Sequence, residues 1–300
     1  MGQSGALEYR RGLGLAALGM VVLSPDALLI RLIEAASPIE IVFYRTLFAG
    51  VVLLAGLGLF YGRALPSRFR AIGRPGLISA ALLAVGNFLF VGAIAYTSVA
   101  NTLLILATTP LFGAVLGRVL LGERVALRTW STIAAGLVGV GVIVHGSLGA
   151  PSLAGDAMAL GVAFTQGLNV VVVRHAGRRD MTPALCLAAF AAAAVAWPLA
   201  GLAWLGAGGI GLPHGTDLWL LMALGCIVLP VSFALYLRAA RYLPAAELAL
   251  FALVETGLGP VWVWLGIGEV PSVQAVAGGA IVMVALIANA AAALHSRERH

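Results

Sequence analysis

Lysine is absent from these 300 residues, and Asp, Glu and Arg together make up only 10% of them. A water-soluble chain of this length carries about a quarter of its residues as charge, so most of this surface faces something other than water. All 18 basic residues are arginines, and they form no run that could track a phosphate backbone, which removes nucleic acid as the partner behind the +6 net charge. A phosphate-cradling glycine loop with its lysine is excluded outright. Cysteine is equally scarce: Cys186 and Cys226 each sit in an apolar stretch without a His or Cys at ligand spacing, which argues against a disulfide framework or a metal site. His145, His175, His214, His295 and His300 fall near the ends of apolar segments, and no His-Glu-x-x-His or nucleophile elbow occurs. Nothing in the residues calls for a cofactor or metal, and ATP-driven pumping and intramembrane hydrolysis are disfavoured.

What is present is apolar: 61% of residues are hydrophobic and 38 are glycine. A membrane-crossing helix needs about 20 apolar residues, and ten such stretches occur, at 12–33, 38–60, 74–95, 99–121, 128–146, 155–175, 183–205, 217–239, 245–266 and 272–294. Links rich in Gly, Pro and Ser separate them, as in Ser37-Pro38 and Gly149-Ala150-Pro151-Ser152. The first stretch lacks a small-residue cleavage site and reads as a retained span. Counted on alternate sides, sixteen of the eighteen arginines collect on one side, Arg31 stands alone on the other, and Arg45 lies within a span. Basic residues near span ends stay in the cytoplasm, which predicts a multi-pass protein of a bacterial inner membrane with both termini cytoplasmic.

Sliding the second half along the first reveals sparse self-similarity. Gly12 to Arg31 aligns with Gly155 to Arg174, pairing Asp26 with Asn169, while Ser37-Pro38 falls on Thr182-Pro183, Tyr96 on Tyr242 and Gly122-Glu123 on Gly268-Glu269. The chain therefore divides into residues 1–150 and 151–300, each a five-helix unit. Because five is odd, the second unit enters the membrane from the opposite side. The expected fold is all-α, with ten transmembrane helices as two inverted repeats, an arrangement suited to alternating access.

Ser37-Pro38 with Phe43-Tyr44-Arg45, Tyr96-Thr97-Ser98-Val99-Ala100, and Pro110 ahead of Gly122-Glu123 mark the first half. Gly155-Asp156, Leu243-Pro244-Ala245-Ala246, Gly268-Glu269 and Gly278-Gly279-Ala280 mark the second. Together these motifs resemble the EamA-type family of the drug/metabolite transporter superfamily over nearly the whole chain. Two features depart from the family pattern: Ser24-Pro25-Asp26 stands where a first-span tryptophan is frequent, and Glu255-Thr256 stands where the second half usually repeats Pro110. The resemblance implies a ten-helix exporter of amino acids or other small metabolites, with spans 1, 3, 4, 6, 8 and 9 around a midplane cavity and spans 2 and 7 at the flank.

An ionisable residue inside hydrocarbon costs at least about 2.5–3.5 kcal/mol and marks a candidate site. Asp26 and Arg45 lie at matching depths, about 10–12 Å from one surface at 1.5 Å per residue, on consecutive spans. They either line the cavity, holding the ammonium and carboxylate of a substrate, or tie spans 1 and 2 together. Glu255, near the middle of span 9, either carries a coupling proton, as Asp26 could, or is held protonated by a hydrogen bond. Glu247 lies within a turn of an interface and reads as solvated. Asn87, Thr109, Gln166, Asn169 and Ser232 are uncharged candidates for substrate contact, against the alternative of helix-helix hydrogen bonds. Asn101 reads as a cap near a span start. Pro25 and Pro110 are candidate hinges. Trp204, Trp219, Trp262 and Trp264 read as interfacial belt, and Trp197 either stacks on a ligand or packs. Gly113-xxx-Gly117 reads as close helix packing, at a seam of spans 4 and 9 or at a dimer face, so monomer and homodimer both stay open. Expected partners are a small molecule, membrane lipid and, through coupling, protons. The competing functions are a membrane enzyme acting on a lipid-linked substrate and a non-transporting membrane subunit; the residues show neither convergent catalytic groups nor a long loop for a partner.

Overall fold

The computed structural model describes residues 3–122, 127–146, 152–177, 179–200, 213–239, 242 and 245–298, leaving aside the side chains of 3–9, 128, 237, 245–253 and 289–298. All its elements are helical: α1 Gln3–Leu23, α2 Asp26–Arg31, α3 Pro38–Tyr61, α4 Leu65–Ala71, α5 Gly73–Tyr96, α6 Val99–Leu106, α7 Thr109–Leu121, α8 Leu127–His145, α9 Ser152–Ala176, α10 Thr182–Ala200, α11 Gly215–Met222, α12 Leu229–Ala239, α13 Ala245–Ile267 and α14 Val273–Glu298. A π turn, Ala223–Val228, joins α11 to α12.

Local chemistry sets several boundaries. Ser37 opens α3 with a capping box, its side chain accepting from Glu40 N while Glu40 accepts from Ser37 N, and Pro38 follows at the first helical position. Gly122 closes α7 at φ +68°, a left-handed conformation that glycine adopts without steric cost.

Seven segments among the described residues are long and apolar enough to cross a membrane: Arg10–Arg31, Pro38–Ala71, Gly73–Tyr96, Val99–Leu121, Ser152–Ala176, Thr182–Ala200 and Gly215–Tyr236. Thr129–His145 and Val273–Ala288 are shorter apolar helices. Large side chains stand outward, with Leu59 91%, Leu127 85% and Val273 80% exposed, which suits lipid and would aggregate in water. The protein is a multi-pass membrane protein.

Four of these segments are interrupted, two of them at prolines that the sequence marked as hinges. Pro25 has no N–H to offer the carbonyl four residues back, and Ser24 Oγ donates to that carbonyl, Val21 O, at 2.9 Å. The same device recurs before Pro110, where Thr109 Oγ1 donates to Leu106 O at 2.7 Å. Thr108 Oγ1 adds a bond to Ile105 O at 2.6 Å. Replacing either hydroxyl, as Ser24→Ala or Thr109→Val, should cost about 1 kcal/mol, since the carbonyl it serves is left unbonded in the bundle; unfolding in mixed micelles measures this.

The helices pack in recurrent pairs. In the numbering of the expected spans, α5 in the third lies along α9 in the sixth, and α1 in the first along α12 in the eighth. The third also touches the seventh (α10), as the second (α3) touches the eighth; the fourth (α6, α7) touches the sixth, as the first touches the ninth (α13). Across the middle, α3 meets α10, α6 meets α13 and α8 meets α14.

Among the described residues Gly113 packs on α9 rather than at a seam with α13. It is buried against Gly167 of α9, where a Cβ on Gly167 would stand 2.7 Å from Phe112 Cβ and 2.9 Å from Gly113 N, so the small residue on α9 lets α7 and α9 approach. Among the described residues the closest approach of a glycine to another backbone joins α8 to α14, where a Cβ on Gly139 would stand 2.6 Å from Gly278 O, and one on Gly278 would press on Gly139 O. Gly278→Ala should therefore destabilise by about 1–3 kcal/mol through forced separation of two backbones. Gly141→Ala, with open space at its Cβ position, should be neutral or gain about 0.5–1 kcal/mol. Thermal unfolding of both variants in one detergent checks the contrast.

Candidate functional site

Where the first span breaks, Asp26 becomes the first residue of α2 and turns into the bundle, 3% exposed. Arg45, two turns into α3 and also 3% exposed, donates from Nη2 to Asp26 Oδ2 at 2.7 Å. Matching depth on consecutive spans allowed this pair, and the structure makes it. The Arg45 guanidinium also lies 5.5 Å from the centroid of the Phe90 ring on α5, a cation-π contact worth more in a dry site. Gly225, in the π turn, lets that segment reach α3 here: a Cβ on it would stand 2.7 Å from Arg45 O and 2.6 Å from Phe48 Cβ.

One Arg–Asp bond does not exhaust these groups. Among the described residues, Arg45 Nε and Nη1 and Asp26 Oδ1 are buried with no hydrogen-bond partner. Idle buried donors and acceptors cost about 1–3 kcal/mol each, so such a set is expected where a ligand supplies the missing partners. Glu255 on α13 interacts electrostatically with both Asp26 and Arg45, so three of the ionisable residues marked from the sequence share one locus. Two turns beyond Glu255, on the same face of α13, Trp262 Nε1 donates to Ser24 Oγ at 2.8 Å. The carboxylate and the first-span break are thus held by one helix.

The uncharged candidates have hydrogen-bond partners other than the Asp26–Arg45 pair or are exposed. Thr109 serves the Pro110 break. Ser232, 1% exposed, donates to Val228 O at 2.5 Å within its own segment, and Asn87 Nδ2 donates to Leu83 O at 3.0 Å. Asn169 Oδ1 accepts from Ser79 Oγ at 2.6 Å, joining α9 to α5. Gln166 is exposed. The side chain of Glu247, and Glu123 and Trp204 entirely, lie outside the described residues. Trp197 is 63% exposed and packs on Phe43 with ring centroids 5.4 Å apart.

One end of the bundle is tied by polar contacts. Arg31 Nη1 donates to Ile94 O at 2.6 Å and Nε pairs with Glu269 at 3.4 Å, while Glu269 Oε1 accepts from Val99 N at 2.9 Å. Asp217 accepts from Ala35 N at 2.9 Å. At the same end Asp156, 0% exposed, accepts from Thr97 Oγ1 at 2.6 Å and Asn101 Nδ2 at 3.2 Å. A pocket of about 210 Å³ beside Arg31 is bounded by Ile30, Ile41, Val91 and Ile94. At the opposite end Tyr61 donates to Asp180, which also accepts from Thr182 N and Oγ1.

Two of these residues escaped sequence reasoning. Asp156 sits at the edge of its predicted span, whereas α9 begins at Ser152, which carries Asp156 about a turn deeper and buries it. Trp262 looks like belt because indole at a span end usually is; its i, i+7 spacing from Glu255 was the available signal.

The EamA-like transporter family model matches residues 10–145. None of the curated proteins compared with the chain matches it. Several solved structures share the fold. One, described simply as the crystal structure of a protein, superposes with a TM-score of 0.66 over 96% of this chain and 98% of its own, at 19% sequence identity, a likeness of fold alone.

Proposed function

We propose, for a chain whose residues 10–145 match the EamA-like transporter family model, that it is a secondary carrier exporting amino acids or similar small zwitterions across the bacterial inner membrane by alternating access. The observation that carries this reading is the idle hydrogen-bonding capacity of the buried pair. Arg45 Nε and Nη1 are two donors in a fork that fits a carboxylate, and Asp26 Oδ1 suits an ammonium. A group with one charge leaves half of that set unanswered.

The ten-span, two-unit architecture draws support from the packing. Shifting each span by five positions turns the 3–6 contact into 8–1, the 3–7 contact into 8–2 and the 4–6 contact into 9–1, all of which occur; the 2–7, 4–9 and 5–10 contacts map onto themselves. Inverted copies related by a pseudo-twofold axis would pack in this way. The units are residues 1–150 and 151–300, with both termini cytoplasmic by the arginine bias. That orientation puts the end tied by Arg31 and Glu269 outside, so this conformation is closed outward, and Pro25 and Pro110 are where spans 1 and 4 would bend on opening.

Competition against labelled substrate in proteoliposomes tests the zwitterion reading. Amino acids should compete, and their decarboxylated amines and deaminated acids should compete far more weakly. Equal competition by a monopolar analogue would contradict the pairing of Arg45 with carboxylate and Asp26 with ammonium.

A further inference from the structure

We infer that Asp156, Thr97 and Asn101 form a binding site for a small monovalent cation, of which sodium is the natural candidate, separate from the Asp26–Arg45–Glu255 locus. Asp156 is 0% exposed, Thr97 4% and Asn101 7%. Both donors present, Thr97 Oγ1 at 2.6 Å and Asn101 Nδ2 at 3.2 Å, converge on one carboxylate oxygen, Oδ1. The other, Oδ2, is buried with no hydrogen-bond partner, and Asp156 makes no ion pair among the described residues. A buried carboxylate without a counter-charge is among the costliest groups a protein can hold. Asp26 has Arg45 for this purpose; Asp156 has only neutral donors on one side.

The surroundings favour a cation as the missing partner. Thr97 caps the C-terminal, negative end of the 24-residue α5 in an extended conformation, φ −132° and ψ −179°, while Asn101 and Asp156 lie near the N-terminal, positive ends of α6 and α9. Terminal carbonyls at helix breaks of this kind are suited to holding coupling ions in membrane carriers. Gly155 makes the approach possible: a Cβ there would stand 2.5 Å from Thr97 N and 2.7 Å from Tyr96 C, so only glycine lets the start of α9 close on the end of α5. The atoms free to coordinate an ion here, Asp156 Oδ2 and the lone pairs of Thr97 Oγ1, are hard oxygens, which select alkali and alkaline-earth ions over transition metals, while Asn101 Nδ2 only orients the carboxylate. A single carboxylate balances one positive charge, which argues against calcium or magnesium. Because α5, α6 and α9 converge here, an ion would fix the third, fourth and sixth spans relative to one another at the end closed by Arg31 and Glu269.

The test uses the full-length protein in detergent, unfolded thermally in sodium chloride and in choline chloride at equal ionic strength and pH. Sodium should raise the midpoint by several degrees in a saturable way, and Asp156→Asn should abolish the rise, whereas Asp26→Asn should keep it. If Asp156→Asn does not fold, Thr97→Val, which removes one oxygen at nearly constant shape, should weaken binding of radioactive sodium at equilibrium by an order of magnitude or more. Identical midpoints in the two salts would overturn the proposal, as would a sodium effect that survives Asp156→Asn. A midpoint that responds to pH through Asp156 but not to sodium would also overturn it, by assigning the carboxylate to a proton. None of these readings requires transport, so the site stands or falls independently of the proposed substrate.

Discussion

Arg45→Ala is expected to destabilise the protein by about 3–5 kcal/mol and to abolish transport. Removing the guanidinium strands Asp26 as a buried charge, and breaking a buried pair from one side carries a penalty of that size. The double variant Asp26→Asn, Arg45→Met removes both charges and should recover most of the stability, because a buried pair contributes little beyond neutral groups that fill its volume. Transport should stay absent in the double variant. A purely structural pair would give the opposite split, with stability and transport recovering together. Denaturant titration in mixed micelles and a counterflow assay on the same preparations separate the two.

Glu255→Gln should uncouple transport from the pH gradient while leaving substrate exchange intact. The substitution keeps the shape and hydrogen-bonding ends of the side chain but cannot gain or lose a proton, and it lies beside Asp26 and Arg45 where a change of charge alters how both hold a ligand. In proteoliposomes, accumulation driven by a proton gradient should fall to the level reached without one, and one-for-one exchange should proceed at close to the wild-type rate. Gradient-driven accumulation at the wild-type level would remove Glu255 from coupling.

Much of the architecture was legible because membranes constrain sequence strongly. Hydrocarbon must be crossed by apolar helices, so their existence and approximate bounds follow from hydropathy, and Ser37-Pro38 and Gly122 announce their boundaries through capping chemistry. Asp26 and Arg45 were legible as a pair because charge in an apolar span needs a partner and depth can be counted along a helix. The uncharged candidates were harder. Thr109 and Ser232 look the same in sequence whether they face a cavity or their own backbone, and here both bond carbonyls within their own spans. For Thr109 the neighbouring proline was the clue, since a missing N–H creates a demand that the preceding hydroxyl can meet. Asp156 stands one residue inside the stretch expected at 155–175, whereas α9 begins three residues earlier, at Ser152, which moves the carboxylate from the interface into a buried cluster.

The most direct test of the account is counterflow of labelled amino acids in proteoliposomes, comparing the wild type with the Asp26→Asn, Arg45→Met variant. The account predicts exchange of at least one zwitterionic amino acid by the wild type and none by a variant shown to be folded. Wild-type exchange in the charge-neutral variant would contradict it.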